Sequence, residues 1–166
     1  KDVFDKDGWF CTGDIGEIDN DGFLKITDRK KSLIVTSAGK NIAPAPLENA
    51  LNDSKFIEQS IVIGDKRNFI SAIIVPNFES VNSYLLSIGK DSLSNDAIVD
   101  HQDVINLIQE EIISSMKRFS SFETIKKFKL IPSQFMLEKG EMTPKMSIVR
   151  KKVIENYLEV IESIYN

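Results

Sequence analysis

A Thr-Gly-Asp triplet followed by a basic run is the pattern in this chain that could bind a nucleotide. Asp14 comes directly after Gly13, and its two carboxylate oxygens can accept hydrogen bonds from the two hydroxyl groups of a ribose. Arg29 offers a planar guanidinium that stays charged and can donate to the same sugar. Each residue alone is ordinary turn chemistry. The ordered pair, together with the glycine turn further along the chain, indicates a nucleotide site.

That glycine turn is Ser37-Ala38-Gly39-Lys40. Gly39 allows the backbone to bend tightly and to approach a ligand closely. Residues 33–36 and 41–43 flank the turn, so together they predict a short hairpin. The plain alternative is a hairpin turn without a ligand, since such turns also favour glycine and asparagine.

The hydrophobic pattern predicts the elements that must position these residues. Residues 9–18 and 22–27 alternate as two strands around an acidic turn, residues 28–31 are a polar break, and 89–100 are a polar loop. The strands of a sheet are predicted at 60–64, 70–75 and 125–131, and helices at 46–53, 78–88, 104–119 and 153–164. The fold class is α+β: a small three-stranded sheet with helices packed on it, preceded by a β-hairpin.

Composition excludes several classes of protein. With 166 residues, 42% of them apolar, the chain is long enough for one packed domain. A net charge of −4 argues against a general nucleic-acid binder. The single cysteine, Cys11, excludes an intramolecular disulfide and suits a reducing cytoplasm. The sequence begins at Lys1 in the middle of a pattern, so we expect a piece of a longer protein.

The stretch from Thr12 to Glu48 resembles the adenylate-forming superfamily, and within it the long-chain fatty-acid CoA ligases. The segment 135–151, with its Thr143-Pro144 pair, resembles the last motif of the same family. The likeness covers nearly the whole chain. It implies that residues 1–30 are the terminal hairpin of a large N-terminal AMP-binding domain. Residues 31–166 would then be the mobile C-terminal domain.

The resemblance also implies roles for individual residues. Asp14 and Arg29 match the positions that bind the ribose of ATP and of the acyl-adenylate. Lys31 falls at the position of the hinge, where a residue between elements absorbs a large change in φ and ψ. Ser37, Ala38, Gly39 and Lys40 match the loop that lines the CoA tunnel in the second half-reaction. No Cys/His cluster offers a metal site.

The last motif departs from the family pattern at one position. The family has a catalytic lysine there, whose positive charge assists adenylation, and alignment from Thr143-Pro144 puts Ser147 in its place. Lys145 lies two residues earlier and would leave the same face of an extended segment. Lys145 is therefore the candidate substitute, with Arg150 and Lys151 next. The alternative is a solvated loop lysine.

The implied activity is that of an AMP-forming acid–thiol ligase, which adenylates a fatty acid with ATP and transfers the acyl group to CoA. Mg²⁺ would accompany ATP, and the 166 residues alone are expected to be inactive. Peripheral membrane association would concern the parent enzyme only, and no nucleic-acid partner is expected. The alternatives are a ligase for aryl or other acids, a ligase that loads an acyl-carrier protein, and a non-catalytic α+β binding module.

Overall fold

The computed structural model describes the backbone of residues 3–29 and 32–166, and the side chains of 3–26 and 32–166. Lys31, the predicted hinge, lies outside these residues. Among the described residues, no helix is long and apolar enough to cross a membrane.

A first hairpin consists of β1 (Asp14–Ile18) and β2 (Leu24–Arg29), which pair antiparallel. Asp19 closes the turn between them, because its carboxylate accepts hydrogen bonds from the N–H groups of Asp21 (3.0 Å) and Phe23 (2.9 Å). The prediction of a polar break from residue 28 is wrong for residues 28 and 29. Their backbone continues β2, because pairing with β1 outweighs their polar composition.

A second, short hairpin follows, with β3 (Ile34–Val35) and β4 (Asn41–Ile42) on either side of the 37–40 turn. It leads into α1 (Pro44–Asn52), which buries Leu47, Ala50 and Leu51 as predicted. The helix begins two residues before the predicted start, since proline is well tolerated in the first turn of a helix.

The central sheet has the order β5–β6–β7, with bounds β5 (Ile57–Ile63), β6 (Ile70–Pro76) and β7 (Ile125–Leu130). The pair β5–β6 is antiparallel and the pair β6–β7 is parallel. A parallel pair needs a long crossover connection, which here is helical. The middle strand β6 is buried along its whole length. The predicted three-stranded sheet is confirmed.

Three helices make up the crossover: α2 (Phe78–Ser87), α3 (Asn95–Asp100) and α4 (Gln102–Met116). Asn77 caps α2 by accepting a hydrogen bond from the N–H of Ser80 at 3.0 Å. The prediction of a loop over 89–100 is wrong for its second half. Ser94 caps α3, and Ile98 on this helix is completely buried. A six-residue helix with a single buried residue, Ile98, is too short to show a helical period in the sequence.

Helices cover both faces of the sheet. One face packs against α1–α4, through the alternate strand residues Val62, Ala72 and Ile74. The other face packs against the two last helices, α5 (Arg150–Asn156) and α6 (Leu158–Tyr165). The sequence pattern predicts a single terminal helix, but the helix breaks at Tyr157, whose ring packs edge-on against Phe135 at 5.9 Å. The α+β fold class is confirmed.

Candidate nucleotide and acyl-transfer site

The register of the first hairpin brings the two predicted ribose-binding residues together. Asp14 and Arg29 are direct partners in the antiparallel pair, so their Cα atoms lie about 4.5–5.5 Å apart. Gly13 has a φ of +77° and Asp14 is exposed. Thr12 Oγ1 accepts a hydrogen bond from the Asp14 N–H at 3.1 Å, which fixes the backbone at the start of β1. The side chain of Arg29 lies outside the described residues.

Hydrogen bonds hold the backbone of loop 37–40 although all four residues are exposed. The N–H of Gly39 donates to the carbonyl of Thr36 at 2.9 Å, and the N–H of Lys40 donates to Thr36 Oγ1 at 3.2 Å. Gly39 has a φ of +74°, a conformation that other residues adopt only with strain. The ammonium of Lys40 lies 5.3 Å from the ring centre of Phe122. The predicted tight glycine turn is therefore confirmed as a structure, while its role stays a prediction.

The connection between β5 and β6 holds this loop from one side. The N–H of Ser37 donates to the carbonyl of Arg67 at 3.0 Å, and Ser37 Oγ donates to Asn68 Oδ1 at 2.8 Å. The N–H of Lys66, in the same connection, donates to the carbonyl of Val35 on β3 at 2.8 Å. Loop 37–40 is therefore attached to the β5–β6 connection by hydrogen bonds.

The segment 141–149 is a tight hairpin rather than a strand. Met142 and Ile148 form an antiparallel bridge, and the N–H of Thr143 donates to the carbonyl of Ser147 at 2.8 Å. The turn at its end contains Pro144 and the exposed Lys145. The expectation that positions 145 and 147 share one face of an extended segment is therefore wrong. Proline presets the φ that a turn needs, and Met146 adopts a left-handed φ of 60°.

An ion pair holds the end of this hairpin where α5 begins. The guanidinium of Arg150 donates to Glu48 Oε1 and to the carbonyl of Val62, both at 2.6 Å. The same carboxylate oxygen accepts the N–H of Val62 at 2.7 Å. The Arg150 and Glu48 side chains are 26% and 15% exposed. Because Arg150 is engaged in this way, it is a poor substitute for the motif lysine.

A buried carboxylate holds the start of the hairpin. Glu141 is 1% exposed and accepts hydrogen bonds from the N–H of Met136 (3.0 Å) and the side-chain amide of Asn156 (2.8 Å). Its carbonyl also accepts the N–H of Val149 at 2.7 Å. Burial, and secondly the nearby Glu141 charge, raise the pKa of Tyr157 above its ordinary value. Both ends of the Lys145 turn are therefore fixed by charged side chains.

Sequence reasoning missed the roles of Glu48 and Glu141. Arg150 and Glu48 are 102 residues apart, so no local pattern links them. Glu141 follows Gly140 in a polar stretch and looks like a solvated residue. The sequence signal was indirect. It is Gly140, which directly precedes Glu141 and has a positive φ of 69° in the structure.

A mixed three-stranded sheet with helices on both faces, preceded by a hairpin, matches the C-terminal domain fold of adenylate-forming proteins in the comparisons with known structures. A family model described as AMP-binding enzyme C-terminal domain matches residues 31–166. The chain therefore belongs to the AMP-binding enzyme C-terminal domain family.

Curated relatives include long-chain-fatty-acid–CoA ligases. The chain is 41% identical over 161 residues to FadD15 of Mycobacterium tuberculosis, covering 96% of this chain and 27% of that protein. It is 35% identical to long-chain-fatty-acid–CoA ligase 5 of Rattus norvegicus, covering 99% of this chain and 24% of that protein. The chain thus spans about a quarter of the length of these relatives.

Solved structures share the fold. The adenylation domain of the carboxylate reductase from Mycobacterium chelonae matches with a TM-score of 0.77 and 29% identity, over 98% of this chain and 24% of that one. A fatty acyl CoA synthetase from Mycobacterium tuberculosis matches with a TM-score of 0.56 and 25% identity, over 95% of this chain and 26% of that one.

Proposed function

We propose that this chain is the C-terminal part of an ATP-dependent long-chain fatty-acid CoA ligase. The observation that supports this most is the 41% identity to FadD15 over nearly the whole chain. In the first half-reaction a carboxylate oxygen attacks the α-phosphorus of ATP, and pyrophosphate leaves. In the second, the thiol of CoA attacks the acyl carbon, and AMP leaves.

The residues of this chain would act at different points of that sequence. Asp14 and Arg29, paired across the first hairpin, would bind the ribose of ATP and of the acyl-adenylate. Lys145 would offset the negative charge that builds up as carboxylate and polyphosphate approach each other. Loop 37–40 would line the path of the CoA thiol in the second step.

Mg²⁺ would come with the phosphates of ATP rather than bind to this chain. Among the described residues, no group of three or more His, Cys, Asp or Glu side chains could hold a metal ion. The contribution of these residues to catalysis is therefore binding, orientation and the positive charge of lysine.

The domain division is also part of the proposal. Residues 1–30 would close the N-terminal domain, Lys31 would be the hinge, and 31–166 would rotate between the half-reactions. The start of the family match at residue 31 supports this boundary. The single cysteine, Cys11, is exposed and free, which suits a reducing compartment such as the cytoplasm.

Binding of an acyl-AMP analogue to the full-length protein tests the nucleotide site. Asp14→Ala should weaken binding about tenfold or more, since a hydrogen bond to a charged group contributes roughly 1.5–3 kcal/mol. Asp21→Ala is the matched control, because Asp21 is an exposed carboxylate in the turn of the same hairpin. Calorimetry that gives the two variants equal affinity would contradict the assignment.

Transfer of the acyl group to a carrier protein is the second candidate function. The adenylation domains of carboxylate reductases, one of them solved as an A–PCP didomain from Segniliparus rugosus, match this chain with TM-scores of 0.76–0.77. An assay of the full-length protein with CoA and with a phosphopantetheinylated carrier protein as competing acceptors separates the two. Thioester formed only on the carrier would replace the CoA ligase assignment.

A further inference from the structure

We propose that Arg67, Glu162 and Tyr165 form an anchor that positions loop 37–40 for the thioester-forming step. The proposal rests on the proposed function, in which this loop lines the path of CoA. The anchor residues lie outside the nucleotide site and outside the Lys145 turn. They act through the β5–β6 connection, so they are positioning residues.

The first link joins the loop to the connection between β5 and β6. The carbonyl of Arg67 accepts the Ser37 N–H at 3.0 Å, and the side chain of Asn68 accepts Ser37 Oγ–H at 2.8 Å. The carboxylate of Asp65, in the same connection, accepts the N–H of Val35 on β3 at 3.2 Å. The start of the loop and the strand before it are therefore held by Asp65, Arg67 and Asn68 of one short connection.

The second link joins the same connection to the last helix. The guanidinium of Arg67 donates to the carboxylate of Glu162 on α6 and lies over the ring of Tyr165, 4.7 Å from its centre. The hydroxyl of Tyr165 lies 2.7 Å from Ser71 Oγ and 3.2 Å from the carbonyls of Ile63 and Phe69. These two carbonyls are at the two ends of the β5–β6 connection, so α6 holds both ends together.

Arg67 is the residue that belongs to both links. Its backbone carbonyl holds the loop, while its side chain holds the helix. The preceding residue, Lys66, has a left-handed φ of 58°. This conformation sets the directions in which the carbonyl and the side chain of Arg67 point from the backbone. Arg67 is therefore the residue that contacts both Ser37 and α6 directly.

The ion pair is exposed enough to be tested without unfolding the protein. The side chains of Arg67 and Glu162 are 32% and 43% exposed, so their pair contributes little to overall stability. The effect of its loss should be local, on the position of Ser37 and its neighbours. A test must therefore measure the loop itself and the two half-reactions separately.

Amide hydrogen exchange of the 166-residue chain tests the structural part. Glu162→Gln should raise the exchange rate of the Ser37 amide about two- to fivefold, the range that an exposed ion pair can produce, while the amides of β6 keep their rates. Glu159→Gln is the matched control, because Glu159 is exposed on the same helix. Equal Ser37 exchange rates in the two variants would overturn the proposal.

The half-reactions of the full-length protein test the functional part. Glu162→Gln should slow acyl transfer from preformed acyl-AMP to CoA about two- to fivefold and leave acyl-AMP formation unchanged. The charge-reversed pair Arg67→Glu with Glu162→Arg should restore part of the loss. Equal losses in both half-reactions, or no rescue, would overturn the proposal. Failure of the unaltered protein to form acyl-CoA would instead refute the proposed function, and the hydrogen-exchange result does not depend on it.

Discussion

Lys145 lies at the tip of a turn whose two ends are fixed independently. Glu141 holds the start through Met136 and Asn156, and Arg150 holds the end through Glu48. The backbone of this turn is therefore fixed at both ends, while the Lys145 side chain itself is exposed. The catalytic role of Lys145 stays a prediction, to be tested on a fixed turn rather than on the extended segment that the sequence suggested.

Replacing Lys145 with alanine tests this residue in the full-length protein. Acyl-AMP formation should slow by on the order of 10²–10³, the usual cost of losing one electrostatic donor to the transition state. Acyl transfer from preformed acyl-AMP should stay largely intact. Ser147→Lys should restore adenylation in the Lys145→Ala variant, since Ser147 is exposed and can accept a longer side chain.

Lys151→Ala is the control for a general loss of positive charge, because Lys151 is 90% exposed on the first turn of α5. If Lys145→Ala adenylates as fast as the unaltered protein, the assignment is wrong. A slow Lys151→Ala variant beside a normal Lys145→Ala variant would transfer the role to Lys151.

At the scale of elements, the pair Glu48–Arg150 joins three parts of the fold. Glu48 lies on α1, Val62 on β5, and Arg150 at the start of α5, and all three meet at one carboxylate oxygen and one guanidinium. The helix that follows the loop 37–40 hairpin is thereby tied to the hairpin that carries Lys145. The two proposed functional segments share one support.

Arg150→Ala should lower the free energy of unfolding by about 2 kcal/mol. This is less than the roughly 3–5 kcal/mol lost when one partner of a fully buried pair is removed, because a quarter of the Arg150 side chain is exposed. Urea unfolding of the 166-residue chain measures the change. Lys151→Ala should stay within about 0.5 kcal/mol of the unaltered chain. A loss in Arg150→Ala no larger than in this control would show that the pair is not a structural support.

The elements that could be predicted from sequence are those with a local signal. The cap at Asn77 and strand β7 are examples, because a polar cap before an apolar stripe, and apolar residues interspersed with lysines, are visible in short windows. Helix α3 and the break at Tyr157 depend on what the chain packs against, as does the Glu48–Arg150 pair. The positions of Asp14 and Gly39 could be predicted because each belongs to a turn or hairpin visible in the local sequence. The contacts of Glu141 could not, because they depend on its burial by distant parts of the chain.

At the scale of the whole molecule, the proposed division at Lys31 would place the proposed functional groups on two parts of the chain. The first hairpin carries Asp14 and Arg29, and the sheet with its helices carries loop 37–40 and Lys145. In the proposed mechanism, both half-reactions would use the first hairpin, while adenylation would use Lys145 and thioester formation would use loop 37–40. The proposed rotation at Lys31 would exchange these two segments between the steps.

Lys31→Pro should restrict φ at the hinge and hinder that rotation in the full-length protein. We expect acyl-AMP formation to survive better than thioester formation, as measured in separate half-reaction assays. Lys31→Ala is the control, since it removes the charge without restricting φ. Equal losses in both half-reactions, or equal behaviour of the two variants, would show that Lys31 is not the pivot.

The chain order of the elements that cover the sheet has a kinetic consequence. Ile61, Ile63, Ile73 and Val75 form the face that is covered mainly by α5, α6 and the segment before them, with Phe78 of α2 beside them. The paired residues of β6 and its parallel partner β7, such as Ile70 and Ile125, are also 55 or more residues apart in the chain. Such long-range pairings close late in folding, because the entropy of the intervening loop must be lost first. An apolar sheet face therefore stays open to other chains until the last two helices dock, which makes slow folding at high concentration an aggregation risk.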